Sequence, residues 1–441
     1  MTTIRSSLKD LILRGTAWTV AGQGASTLLR MARSLIMTRL LFPQAYGLMT
    51  LVWAVLTGLH MFADTGIVST IIRDKRGDDP DFLNTAWTTN VIRGAVLSGI
   101  TLLIARPMAT FYHQPQLAYL IPVAGISSCI GGFASMAQYT CVRHMDLRRI
   151  TLLQFSNDLM LSMVLVLWAF ISPTVWAFVG GSLIGELYHT LATHIYLPGI
   201  RHKFRWERSS LHTIMGFGKW IYLSSAVYFV STQSDRMLLG HYLSIDMLGV
   251  YGIAVMMSET LQTLVLKLIS GVLFPAYSQI VQQESQRLRS AVSRARLALD
   301  VGIVVPISVL MIVGSRIVAV VYDARYHNAG WMLQVLCVRL LMVSTLSNSE
   351  SCLVALGKPQ YMLIHNFCRA VWILVGVPVG WSLMGIKGVV WVVALSEMPV
   401  IVVMWVGMAR QRMFSFVSEF RSLLFVGLGV LMGLGILRLL P

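Results

Sequence analysis

The sequence predicts an all-α, polytopic membrane protein of two six-helix lobes related by pseudo-two-fold symmetry, with one extra hydrophobic segment at the C-terminal end. Three observations carry this expectation. Of the 441 residues, 56% are hydrophobic and 12% are charged, about half the charged share of a soluble domain. Apolar runs long enough for a bilayer, for which ~20 residues suffice, recur along the whole chain with short connections. Finally, Gly15, Trp18 and Tyr46-Gly47 have counterparts in Gly218, Trp220 and Tyr251-Gly252, with the basic stretch 198–210 between the two sets. Such a repeat starts and ends on one side of the membrane, so its axis lies along the membrane normal. The lobes are expected over 1–205 and 206–412, with 413–441 outside the repeat.

The spans are expected near 15–40, 46–72, 82–105, 117–141, 149–171, 174–197, 211–238, 247–276, 297–322, 330–356, 361–384, 386–409 and 420–440. The first carries Thr16, Thr19, Gln23, Thr27, Arg30 and Arg33 on one helical face, by the three-to-four-residue spacing of an α-helix. On the second, Trp53, Thr57, His60 and Asp64 share a face. A charged group in hydrocarbon costs on the order of 2.5–3.5 kcal/mol on insertion scales, so it turns to protein or to a watery cavity. A polar pathway through the bundle is one reading of these stripes. Hydrogen-bonded glue between helices is the other; it suits a lone Thr or Gln better than two arginines with no equal run of carboxylates nearby. Asp64 has its own structural alternative, the cap of a helix break at Gly66.

Further polar positions punctuate the later spans. The third carries Arg93 and the fifth Asp158. The seventh has Ser224, Ser225, Tyr228, Ser231, Thr232 and Asp235 along one face, and the eighth has Glu259, Thr263 and Lys267 on successive turns. That last spacing predicts a structural bridge, through Thr263 or a neighbouring helix. Arg296 and Asp300 predict an ordinary i, i+4 ion pair. Arg339 and Glu350 fall on nearly one face of the tenth span. His365, Arg369 and Trp372 do so on the eleventh, and Glu397 stands in the twelfth. The polar run Gln282-Gln283-Glu284-Ser285-Gln286 reads as a solvated amphipathic face.

The formal net charge is +16, which invites a nucleic-acid reading that the placement of the charge excludes. Most Lys and Arg fall in the N-terminus and in alternate connections: Arg73, Lys75 and Arg76; Arg143, Arg148 and Arg149; Arg201, Lys203, Arg205 and Arg208; Arg287, Arg289, Arg294 and Arg296; Lys358; Arg410, Arg412 and Arg421. This is the positive-inside asymmetry, and it puts the N-terminus in the cytoplasm. The cations inside or at the ends of apolar segments are Arg30, Arg33, Arg93, Lys219, Arg236, Lys267, Arg339 and Arg369. The N-terminal residues show no short apolar core with a cleavage site, so no cleavable signal peptide is expected. The five cysteines form no CxxC pair or metal spacing and read as small packing residues. No phosphate loop, zinc-protease, nucleophile-elbow or calcium-loop pattern occurs. The loops are short and basic, so no catalytic site, metal or cofactor is expected.

Several stretches resemble bacterial polysaccharide transporters. Arg39-Leu40-Leu41-Phe42-Pro43-Gln44-Ala45-Tyr46-Gly47-Leu48-Met49 resembles their first turn, and Phe62-Ala63-Asp64-Thr65-Gly66-Ile67 with Ile71-Ile72 resembles the segment after it. Phe82-Leu83-Asn84-Thr85-Ala86-Trp87 is similar to the third-helix entry of the colanic acid and teichuronic acid exporter branch. Asp235-Arg236, Leu238-Leu239-Gly240 and Leu248-Gly249-Val250-Tyr251 resemble the matching second-half motif, and Gly357-Lys358-Pro359 the turn after helix ten. The family lies in the multidrug/oligosaccharidyl-lipid/polysaccharide exporter superfamily.

The resemblance implies two six-helix lobes around a central cavity that opens alternately to either side. It implies a polyprenyl-pyrophosphate-linked oligosaccharide as cargo, flipped out of the cytoplasmic leaflet of the inner membrane for surface or exopolysaccharide synthesis, beside polymerase and glycosyltransferase partners. The related lipid II flippases have first-helix arginines in a context like Ala32-Arg33 and Arg39; at their more N-terminal arginine this sequence has Thr27, with Arg30 one turn on. A guanidinium fork suits a pyrophosphate. The cavity candidates are therefore Gln23, Arg30, Arg33, Arg93, Arg339 and Arg369. Reorientation needs a driving group whose proton or sodium occupancy differs between states. Candidates are Asp64 with His60, Asp158, Asp235, Glu259 and Glu397. The alternatives are a cation-coupled small-molecule exporter of the same superfamily and a non-transporting scaffold of a glycan-assembly complex.

Overall fold

The computed structural model describes residues 2–283 and 288–439, and no strand occurs among the described residues. The helices are α1 (Thr2–Leu40), α2 (Pro43–Phe62), α3 (Ile67–Arg73), α4 (Pro80–Phe111), α5 (Leu117–Gly132), α6 (Ala137–Arg143), α7 (Leu147–Ile171), α8 (Trp176–Ile195) and α9 (Arg208–Tyr242). They continue with α10 (Ile245–Gln283), α11 (Leu288–Leu299), α12 (Val305–Val321), α13 (Asn328–Ala355), α14 (Gln360–Met384), α15 (Ile386–Ala394), α16 (Met398–Arg410) and α17 (Phe416–Leu439). Glu284, Ser285 and Gln286 of the polar loop lie outside the described residues, as do the side-chain positions of Gly15, Thr16, Thr19, Gly218, Lys219, Trp220, Gln282 and Gln283.

Among the described residues nine helical segments are long and apolar enough to cross a membrane, ten if the bent pair α5–α6 is one span. The protein is a multi-pass membrane protein. Every expected span is helical, and several are interrupted along their length. The second is divided between α2 and α3, the fourth between α5 and α6 at 60°, and the twelfth between α15 and α16. The ninth runs from α11 through a π-helical turn at Asp300–Val304 into α12. Three of these interruptions fall at a carboxylate, Asp64, Asp300 or Glu397. At the first, Gly66 takes φ 69°, open to glycine at little cost, and the Asp64 carboxylate accepts its N–H at 2.9 Å.

The chain divides into two units, residues 1–226 and 227–441, with the division inside α9. In the first unit the helices approach through small residues, the usual way for membrane helices to pack. A Cβ on Gly94 of α4 would lie 2.4 Å from the Ser128 carbonyl oxygen of α5, so only glycine fits. Near the expected cytoplasmic end, Ile67, Ile71, Phe82, Leu83, Trp87 and Met136 form a buried cluster.

The connection from α8 to α9 is strapped against that end. The backbone N–H groups of Lys203, Arg205 and Glu207 donate to the side chains of Asn84 (2.9 Å), Thr88 (3.2 Å) and Thr85 (3.1 Å) on α4. Their alternation is that of an extended strand presenting one edge. His202 stacks on Trp87 with ring centroids 5.5 Å apart, and its Nε2 accepts from the Met136 N–H at 3.1 Å. Burial, with His194 beside it, pushes the imidazole down to about 4. Glu207 pairs with Arg76 at 2.7 Å; that guanidinium and the Ser210 and Ser209 hydroxyls hold its carboxyl at about 2.

In the second unit α14 and α15 cross at Gly380 and Gly388, where a Cβ on Gly388 would lie 2.1 Å from the Gly380 carbonyl oxygen. Tyr277 of α10 donates to Asn348 of α13 at 2.6 Å. α17, the segment outside the expected repeat, lies along α12, with Gly429 and Gly433 facing Ser308 and Ile312. The expected Arg296–Asp300 pair is present at 3.8 Å but belongs to a larger buried network. Arg296 holds Glu419 of α17 with two bonds of 2.9 and 3.1 Å, and Ser422 links Arg296 to Asp300. Bidentate pairing is the stronger arrangement, so Arg296 is chiefly the fastening of α17.

Candidate functional site

The first polar group is a seam between α1 and α7. Gly22 lets the two helices close, since a Cβ there would run into the Thr151 methyl group. Along the seam Gln23 meets Gln154 at 3.5 Å, Arg30 meets Asp158 at 3.1 Å, and Arg33 reaches the Ser162 hydroxyl at 3.4 Å. The partners on α7 recur at helical spacing, so one face of α7 reads one face of α1. Asp158, a coupling candidate from the sequence, is therefore the partner of Arg30. The pair is uneven: the Arg30 side chain is 49% exposed while that of Asp158 is 16% exposed. Two arginines share one carboxylate, and Ser162 spends its proton on the Asp158 backbone oxygen at 2.6 Å. The seam keeps an excess of positive charge and an outward-facing guanidinium.

A second group lies on α2, α4, α5, α6 and α8 of the same unit. His60 bonds the Ser128 hydroxyl at 3.0 Å. Arg93 stands within electrostatic reach of His60, and Arg93, Asp64 and Glu186 within reach of the Tyr139 hydroxyl. The buried Arg93 Nε has no hydrogen-bond partner among the described residues. His60 and Asp64 do not act as a pair, because the chain breaks between them and Asp64 turns to the Gly66 N–H. Glu186 is absent from the sequence candidates. The signal was available: it is a lone carboxylate in the apolar span 174–197, which is itself a functional marker in a membrane segment.

The third group is in the second unit and is buried. Glu397, 1% exposed, sits at the α15–α16 break. His365 Nε2 approaches it at 3.1 Å, and Arg339 and Arg369 each at 3.6 Å. On its other nitrogen, His365 faces Glu350 at 3.9 Å. The Glu397 oxygens are held by charge rather than by aligned hydrogen bonds. Arg339 and Arg369, cavity candidates from the sequence, thus turn to a carboxylate within their own unit. Asp235 accepts from the Tyr251 hydroxyl at 2.6 Å, and its other oxygen is without a hydrogen bond among the described residues. Glu259, expected to form a structural bridge through Thr263 or a neighbouring helix, pairs with Arg236 on α9. Glu350 and His365, visible in the sequence as polar positions, complete this cluster.

A family model described as polysaccharide biosynthesis protein matches residues 36–330. The chain belongs to this family. Among its relatives, the lipopolysaccharide biosynthesis protein WzxC of Escherichia coli is 22% identical over 87% of this chain and 78% of its own length. The succinoglycan biosynthesis transport protein ExoT of Rhizobium meliloti is 22% identical over 63% of this chain and 56% of its own. The teichuronic acid biosynthesis protein TuaB of Bacillus subtilis is 18% identical over 63% and 57%. The fold is that of the lipid II flippase MurJ, with a TM-score of 0.73 at 10% identity over 96% of this chain and 98% of that one. A multidrug resistance MATE family transporter of the MOP superfamily gives 0.71 at 14% identity over 88% and 94%.

Proposed function

We propose that this protein is a flippase that carries a polyprenyl-pyrophosphate-linked oligosaccharide across the inner membrane by alternating access. The observation that carries the reading is the α1–α7 seam, where Arg30 and Arg33 face Asp158, the one carboxylate at the seam among the described residues. An unbalanced pair of guanidiniums on a helix expected to span the membrane has a purpose when its counter-charge arrives with a ligand. A pyrophosphate supplies it in the geometry that two arginine forks match. Membership of the polysaccharide biosynthesis family, with one relative named for succinoglycan transport, and the fold of a lipid II flippase support the same cargo class. The protein then moves its cargo without transforming it.

In this reading the N-terminus is cytoplasmic, because the basic connections stay inside. Glycosyltransferases build the glycan before transport and a polymerase extends it afterwards. The Glu350–His365–Glu397 cluster is the coupling element. A proton or sodium ion entering or leaving it changes the charge balance around two arginines, and so biases one arrangement over another.

The test is leaflet-resolved flipping of defined polyprenyl-pyrophosphate glycans in proteoliposomes, with the polyprenyl phosphate lacking a glycan as control. Glycan-dependent flipping that is lost with Arg30→Ala and Arg33→Ala is expected. Normal flipping by both variants at normal abundance would remove the seam as the headgroup site. Export of small cations without any glycan flipping would favour a small-molecule exporter.

A further inference from the structure

The strap between α8 and α9 carries a second binding surface, independent of the cargo. α4 has 32 residues, about 48 Å at 1.5 Å per residue, against ~30 Å of hydrocarbon. The basic connections beside its N-terminal end, where Asp79 caps the first turn, assign that surplus to this end. The strap is bonded there, at Asn84, Thr85 and Thr88. It is therefore held at headgroup depth by side chains of a helix rather than hanging free.

What the strap shows outward is specific. Arg201, Lys203 and Arg208 are exposed and have no ion-pair partner among the described residues, whereas Arg205 is taken by Asp81 and Glu207 by Arg76. Between the cations, Phe204 is 68% and Trp206 51% exposed, and Tyr196 just before the strap is 66% exposed. Exposed aromatics at this depth belong in the interfacial layer. Cations beside them meet the phosphates of that layer.

We infer that Arg201, Lys203 and Arg208, with Phe204 and Trp206, form a binding surface for the phosphate headgroups of anionic phospholipids in the adjoining leaflet. Water-exposed basic loops attract such lipids diffusely. Here the backbone is fixed by three hydrogen bonds and the His202–Trp87 stack, so the cations are presented at fixed spacing and the lipid is retained.

The experiment is native mass spectrometry of the full-length protein released from micelles containing equal phosphatidylglycerol and phosphatidylcholine. Retention of phosphatidylglycerol over phosphatidylcholine is expected. The variant Arg201→Gln/Lys203→Gln/Arg208→Gln should lose about a hundredfold in phosphatidylglycerol affinity, at about fivefold per cation. The charge-keeping variant Arg201→Lys/Lys203→Arg/Arg208→Lys should keep it. If the neutral variant fails to insert, wild type in about 1 M salt, where the screening length is ~3 Å, should lose the preference instead. Equal phosphatidylglycerol retention by the neutral variant would overturn the inference. So would inorganic phosphate competing as well as the lipid, which would make the surface an anion site and not a lipid site.

Discussion

Replacing Glu397 by Gln keeps the shape of the side chain and removes the charge that balances two buried arginines. Arg339 and Arg369 each stand 3.6 Å from its carboxylate. With an effective dielectric constant of ~20, each contact is worth about 4–5 kcal/mol of attraction. Desolvating the three groups offsets much of that, so the net value of the intact cluster is small. Its one-sided disruption is not: an uncompensated buried charge costs ~3–5 kcal/mol. Glu397→Gln is therefore expected to destabilise the protein by about 4 kcal/mol. Arg369→Gln alone leaves Glu397 with Arg339 and His365, and should cost less. Glu397→Gln/Arg369→Gln should recover at least ~2 kcal/mol relative to the sum of the single changes, because groups in one network couple on this scale. Unfolding of the four proteins in mixed micelles measures all three values. Additivity within ~0.5 kcal/mol would show that the charges do not feel one another, and the coupling role would go with them.

Arg30→Ala should reduce glycan flipping by roughly tenfold to a hundredfold, the value of a charge-assisted hydrogen bond, while Arg30→Lys restores part of it; flipping rates in proteoliposomes decide. Asp158→Asn should change stability by less than ~1 kcal/mol, since Arg30 is half-exposed, and should leave substrate binding intact by freeing the guanidinium. Asp64→Asn should keep gradient-dependent transport and near-normal stability, because Asn accepts the Gly66 N–H as Asp does, whereas Asp64→Ala should cost ~1 kcal/mol. Loss of gradient dependence in Asp64→Asn would make it a coupling group after all. His202 is neutral in the fold down to about pH 4 but titrates near 6.5 when unfolded. The unfolded chain therefore binds more protons between these values, and stability should fall as pH drops from ~6.5 toward ~4, by at most ~1.4 kcal/mol per pH unit. His202→Gln should flatten that part of the stability–pH curve.

The fold class was legible because a bilayer imposes length and polarity limits that soluble folding does not. Any run of ~20 apolar residues must close its own backbone hydrogen bonds, and helix is the way to do it. The breaks were less legible, because an interruption needs only one capped turn. Phe62 through Gly66 advertised theirs through an Asp two residues before a Gly. The α15–α16 break shows only Pro399, two residues beyond Glu397. The linker 198–210 was expected as a basic connection between the two lobes. Its attachment to α4 depends on Asn84, Thr85 and Thr88, more than a hundred residues away in sequence, and no local pattern encodes such a pairing.

Intramembrane charge pointed to polar groups in the sequence and left their partners open, for one physical reason. Sequence shows that a charge in hydrocarbon must be compensated, but not by which helix. Arg30 and Asp158 were placed in different roles, as a substrate ligand and a coupling group, and they are one ion pair. Arg339, Arg369 and Glu397 were likewise divided between roles, and they form one cluster joined through His365 to Glu350. The compensation differs between the two sites in a way that bears on function. In the second unit the buried charges oppose one another at ion-pair distance, so the cluster has its counter-charges in place before any ligand arrives. At the α1–α7 seam two guanidiniums have one carboxylate, and Arg30 stands half in the open. A ligand anion gains most where positive charge is fixed, accessible and incompletely matched, and in this chain the seam of Arg30 and Arg33 meets those conditions better than the buried arginines do.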